Sequence, residues 1–85
     1  MKEQLTPVIG AKSVRDYLIR LTFADGTSKI VDFSRWLHGE IFRPLKDKRQ
    51  FKAFFVSGGT VCWPNGADIA PETLRDVSAA ATNAA

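Results

Sequence analysis

One cysteine, Cys62, and one histidine, His38, are all the soft ligands this 85-residue sequence contains. A lone cysteine rules out an internal disulfide, and the pair is too few for a structural zinc site. No apolar run approaches the 18 residues that a membrane-crossing helix needs, and the opening Met1 to Pro7 lacks the hydrophobic stretch of a secretion signal. The expected location is therefore the cytoplasm. Spaced glycines are missing too. Gly58-Gly59 and Asn65-Gly66 carry neither the Lys-Ser/Thr of a phosphate loop nor the three-glycine fingerprint that opens a long helix, so they read as turns. No internal repeat is present.

What remains is an ordinary globular mixture, 45% hydrophobic and 25% charged, which argues against disorder or a coiled coil. The length allows one domain. Surface scaling hides only about 63% of the open chain's area at this size, a thin core that a partner chain could supplement. The net charge of +3 is unevenly spread: Arg43, Lys46, Lys48, Arg49 and Lys52 face Asp47 alone, a local net of +4, so everything else carries −1.

Alternation sets out the strands. Pro7, Val8, Ile9 and Ala11 suit a short edge strand, since proline is tolerated at a strand start. From Val14 to Phe23 the residues Tyr17, Ile19, Leu21 and Phe23 alternate with Asp16, Leu18, Arg20 and Thr22, the period of two of a half-buried central strand. Thr27 to Phe33 alternates again. A two-residue Asp25-Gly26 turn would oppose Phe23 to Ser28. A three-residue loop with Gly26 left-handed instead opposes Phe23 to Thr27, Ile19 to Val31 and Tyr17 to Phe33, keeping one face apolar. The longer loop is expected, with Leu18 and Ile30 on a second face that is also partly covered.

Ser34 is placed to cap a short helix through His38, with Gly39 as its stop. Ile41 to Leu45 reads as loop or 3₁₀ structure, and Asp47 can cap a turn leading to Phe51. Gly58-Gly59 joins a second hairpin that opposes Val56 to Val61 and Phe54 to Trp63. After the Asn65-Gly66 turn, Asp68 or Ala70 precedes Pro71, which opens a helix running to about Ala80 with Leu74 and Val77 buried. The predicted class is α+β: a small antiparallel sheet of four or five strands from two hairpins, a short middle helix and a C-terminal helix. Residues 1–77 form the domain and 78–85 an Ala-rich tail expected to fray.

Three stretches carry a resemblance: Tyr17-Leu18-Ile19-Arg20-Leu21-Thr22-Phe23-Ala24-Asp25-Gly26, Val31-Asp32-Phe33, and Trp63-Pro64-Asn65-Gly66-Ala67-Asp68-Ile69-Ala70-Pro71-Glu72-Thr73-Leu74. Over residues 8 to 75 the chain resembles the bacterial family of domain of unknown function 2442, most specifically in the last stretch. Members are small bacterial proteins, free-standing or fused ahead of a lambda-repressor-like helix-turn-helix. Free-standing members are often encoded beside another small protein in a toxin-antitoxin-like arrangement. No activity is attached to the family, so the resemblance implies a fold and a cellular setting rather than a reaction. The chain ends about where the helix-turn-helix would begin, so no DNA-binding role resting on that appendage is expected.

The residues themselves offer few chemical sites. Cys62, His38 and an acid such as Asp32 or Asp68 are the only set from which a thiol enzyme could be assembled, because a thiolate nucleophile needs a base and the base an orienter. Cys62 lies mid-strand, where a small buried hydrophobe is the usual occupant. Asp68 and Glu72 read as helix-end charges, and Asp32 has no assignment. No catalytic, cofactor or metal residues are expected. The candidate contacts are Arg43, Lys46, Lys48, Arg49 and Lys52, with Phe42 and Phe51 interleaved, for nucleic acid, and Trp36 for a protein partner. Phe42 and Phe51 read rather as core anchors, and the five cations as an ordinary solvated turn. The function expected is a non-catalytic protein-interaction module of a small bacterial operon, binding itself or another small protein through a strand edge or the Trp36 region. A nucleic-acid-binding accessory protein is the alternative.

Overall fold

A computed structural model describes residues 7–80. Five strands form, all pairing antiparallel: β1 Val8–Arg15, β2 Leu18–Phe23, β3 Ser28–Asp32, β4 Phe55–Ser57 and β5 Thr60–Cys62. The α+β class and the two expected hairpins hold, but the strands are shared between a sheet of three, ordered β1-β2-β3, and a separate sheet of two. No described helix is long and apolar enough to cross a membrane.

The stretch read as one strand from Val14 to Phe23 is interrupted. Asp16 adopts φ 47°, and the Asp16-Tyr17 turn reverses the chain, so Val14 and Arg15 end β1 while Leu18 begins β2. Aspartate is among the few non-glycine residues that visit the left-handed region readily, and alternation alone carries no trace of that turn. β1 is accordingly longer than the short strand expected, although it does lie at the sheet's edge. Its register with β2 slips at two bulges, leaving Ile9 and Val14 as the extra residues.

The β2–β3 loop is the expected one. Ile19 faces Val31, the Phe23 amide donates to Thr27 and the Phe33 amide to Tyr17, with Gly26 at φ 93°. Ile19, Leu21, Phe23 and Val31 thereby share a buried face. Leu18 and Ile30 on the other face are half-buried. The chain after the last helix runs beside them, and the Ala80 amide donates to the Ile30 carbonyl at 2.7 Å. The remainder of the predicted tail, 81–85, and residues 1–6 lie outside the described residues.

The middle helix is a 3₁₀ turn, Phe33–Trp36, and its cap is Asp32 rather than Ser34. One Asp32 carboxylate oxygen accepts from the Ser34 amide at 2.9 Å and from its hydroxyl at 2.7 Å, which gives Asp32 its role. A second 3₁₀ turn, Arg43–Lys46, leads to α1, Lys48–Phe51, which Asp47 caps as expected. α2, Pro71–Asp76, starts at the expected proline but stops short of Ala80, because Val77 turns extended at ψ 144°. Its cap position is Ala70, without a side-chain bond. Asp68 lies upstream, in a backbone bridge to Cys62.

Val56 faces Val61 as predicted, but the expected Phe54–Trp63 pairing does not form. Trp63 leaves the ladder and gives its amide to Ala67. Its ring then packs on Phe33, Phe42 and Phe51 at centroid distances of 6.0, 6.2 and 5.7 Å. These rings, with Leu45, Leu74 and the buried sheet face, are the core that holds the surface turns in place.

Candidate functional site

Arg43, Lys46, Lys48, Arg49 and Lys52 are all exposed along the second 3₁₀ turn and α1. Lys48 is engaged: its ammonium meets the Asp16 carboxylate at 3.0 Å and stands 5.6 Å over the Tyr17 ring. That hydrogen bond and charge hold the Asp16 carboxyl below its usual range and push the Lys48 ammonium up. The other four cations make no ion pair among the described residues. The interleaved rings turn toward the core and the Trp36 side of the molecule. Phe51 is fully buried, and Phe42 is half-buried edge-on to Trp63. Neither is presented as a platform on which a base could stack.

The thiol set does not assemble. The Cys62 sulfur has its hydrogen bond with the Ser57 carbonyl, at 3.7 Å, while His38 Nε2 sits 3.1 Å from the Arg35 carbonyl. No hydrogen bond joins cysteine to histidine among the described residues. Burial pushes the Cys62 thiol up, and the Asp68 charge pushes it further, the reverse of what a nucleophile needs. Iodoacetamide is therefore expected to label the native protein slowly at pH 7. The rate should climb about tenfold per pH unit toward the raised pKa, while the urea-unfolded chain labels at an ordinary thiol's rate. Equal rates in the two states at pH 7 would contradict this. Among the described residues, no group of three His, Cys, Asp or Glu could hold a metal ion.

Trp36 stands where two surface hollows meet. The Phe33–Trp36 turn tucks one edge of the indole against Phe33, at 5.2 Å between centroids, and the Arg35 guanidinium lies 5.8 Å from its ring centre. The half-buried indole stands between two hollows. One, of about 420 Å³, is bounded by Glu72, Thr73, Asp76 and Val77. The other, of about 290 Å³, is bounded by Phe42, Ile69, His38 and Asp68. Ile41, 45% exposed, stands next in the chain to Phe42, and its carbonyl accepts from the Asn65 side-chain amide at 2.9 Å. Asn65 also accepts from the Ala67 amide, so the Asn65-Gly66 turn pins the 39–42 loop beside Trp36.

The sequence had picked out Trp36 but not its surroundings. Phe42, Ile69 and Thr73 come from separate segments, and no periodicity connects them. The one usable signal was Asn65, a turn residue with a side-chain amide to spare.

The family model described as "Protein of unknown function (DUF2442)" matches residues 8–79. No curated protein and no solved structure matches the chain.

Proposed function

The chain belongs to the DUF2442 family, and from that premise we propose that it is a non-catalytic protein-interaction module whose docking surface is centred on Trp36. The observation that carries this reading is the indole's position, half-buried between two hollows with Phe42 and Ile69 forming an apolar floor on one side. Tryptophans set in pockets at the centre of a patch are the residues that dominate interface energies. Polar groups rim it: Arg35, Glu72, Asp76, His38 and Asp68.

The sheet edges, the other expected route, fit less well. On the β3 edge the Ile30 carbonyl is already taken by the chain's own Ala80 amide, and the β1 edge is broken by its two bulges. Phosphate contact through Arg43, Lys46, Arg49 and Lys52 ranks second, since cations without stacking rings supply only sequence-independent attraction.

The partner proposed is a small protein encoded alongside this one, or a second copy of the chain. Tagged wild-type protein should retain a defined partner from bacterial lysate or show twice the monomer mass in sedimentation. Trp36→Ala should lose it, because truncating such an anchor costs about 2 kcal/mol or more, roughly thirtyfold in Kd. Far-UV circular dichroism confirms that the variant folds. A wild-type protein that is monomeric and captures nothing Trp36→Ala fails to capture sinks the proposal.

A further inference from the structure

A cavity of about 690 Å³ opens on the second face of the three-stranded sheet, beside the covered Leu18. Its walls come from four places: the β1–β2 turn, the 3₁₀ turn after β3, the start of α1 and the segment 78–80. The volume lies within the range of small-ligand sites.

Three cations and two carboxylates line it, a net of +1: Arg15, Arg35 and Lys48 against Asp16 and Asp32. Both carboxylates are already engaged. Asp16 holds Lys48 at 3.0 Å, and Asp32 accepts the two bonds from Ser34 that cap the turn. Arg15 and Arg35 make no ion pair among the described residues, although Arg15 is close enough for its charge to act on Asp16. The Arg35 guanidinium is steadied by its stacking over Trp36. Two guanidinium groups without a hydrogen-bonding partner among the described residues thus border a hollow to which Leu18, Ala79 and Ala80 contribute apolar surface, beside the polar Tyr17, Ser34 and Ser78.

We infer that this cleft binds a carboxylate carried on a small apolar body, with Arg15 and Arg35 as its anchors. The planar fork of donors on each guanidinium matches the two oxygens of a carboxylate. The net charge favours a single negative charge, since a phosphate dianion would lie near two fixed carboxylates with only one unit of positive charge in excess. The carboxylate can belong to a free organic acid or to the end of a polypeptide. The apolar body would lie against Leu18 and the alanines.

The test is a titration of the full chain followed by amide proton–nitrogen NMR. The probes are N-acetyl-alanyl-alanine, the same dipeptide as its C-terminal amide, sodium butyrate and inorganic phosphate. The acid is expected to give saturable shifts at the amides of Tyr17, Leu18, Ser34 and Ala80, and the neutral amide none. Arg15→Gln and Arg35→Gln should each weaken binding by about tenfold or more, the scale of one hydrogen-bonded charge. Both side chains are exposed, so the variants should keep the native spectrum. Equal shifts with acid and amide, affinities unchanged in both variants, or tighter binding of phosphate would each overturn the assignment. Dipeptide binding tighter than butyrate supports a polypeptide end, and equal binding supports a free acid. Arg35 also borders a hollow beside Trp36, whereas Arg15 does not. Failure at Arg15 therefore tells against this cleft alone.

Discussion

Replacing Trp63 by alanine is expected to leave the chain unfolded at 25 °C. The side chain is 1% exposed, meets three other rings, and donates from Nε1 to the Phe51 carbonyl at 2.8 Å. Truncating a buried tryptophan costs about 3–5 kcal/mol. Stranding the Phe51 carbonyl adds about 1–3 kcal/mol. A domain of this length has a total stability on the order of 4–13 kcal/mol, and its thin core puts it in the lower half of that range. The combined loss, about 4–8 kcal/mol, is as large as the stability in that lower half. Trp63→Phe keeps most of the ring contacts without the N–H donor and should fold with a loss of about 2 kcal/mol. Urea titrations followed by circular dichroism separate the two. An alanine variant that unfolds cooperatively with a loss below about 2 kcal/mol would show that the other rings close over the gap.

The second large effect lies in a tight turn. Gly58 and Gly59 join β4 to β5 with φ of 61° and 81°, both left-handed, so alanine at either costs about 1–2 kcal/mol in backbone strain. The difference is in what surrounds them. A Cβ on Gly58 would meet nothing within 4 Å, whereas one on Gly59 would stand 3.0 Å from the Pro7 Cβ. The Gly59 carbonyl also accepts from the Val8 amide at 2.9 Å, so pushing Pro7 away strains the attachment of β1 to the smaller sheet. Gly59→Ala should therefore lose about 2–3 kcal/mol and Gly58→Ala about 1 kcal/mol. At about 4–8 °C per kcal/mol, the gap is readable in thermal melts. If Gly58→Ala proves the more damaging, the close approach of Pro7 is not what distinguishes the two sites.

The parts of the fold that could be read from the sequence are those fixed by local chemistry. The loop at Gly26 follows from which register keeps Ile19 and Val31 on one face. Asp47 and Pro71 mark helix starts because capping and proline act within one turn. The misreadings share a cause. Asp16 reverses the chain inside an alternating run, since a left-handed aspartate changes the path without changing the pattern. Asp32 displaces Ser34 as the cap because the turn begins at Phe33, two residues earlier than a Ser34 cap would place it. Trp63 abandons its strand because the cluster around Phe51 offers its ring and its N–H more than continued pairing with Phe54 does. For the sites, single residues such as Trp36 were legible. Groupings were not: Arg15 and Arg35 lie on different elements and meet around one cleft only through the turn that the alternation concealed.

The bulges in β1 also bear on how the protein behaves at high concentration. Between Ile9 and Val14 the regular register spans Gly10 to Ser13, with exposed Lys12 inside it. A chain seeking to extend the sheet outward would find four residues of flat backbone and a positive charge, too little to seed a fibre. Two greasy side chains can thus remain in water at that margin without inviting runaway stacking.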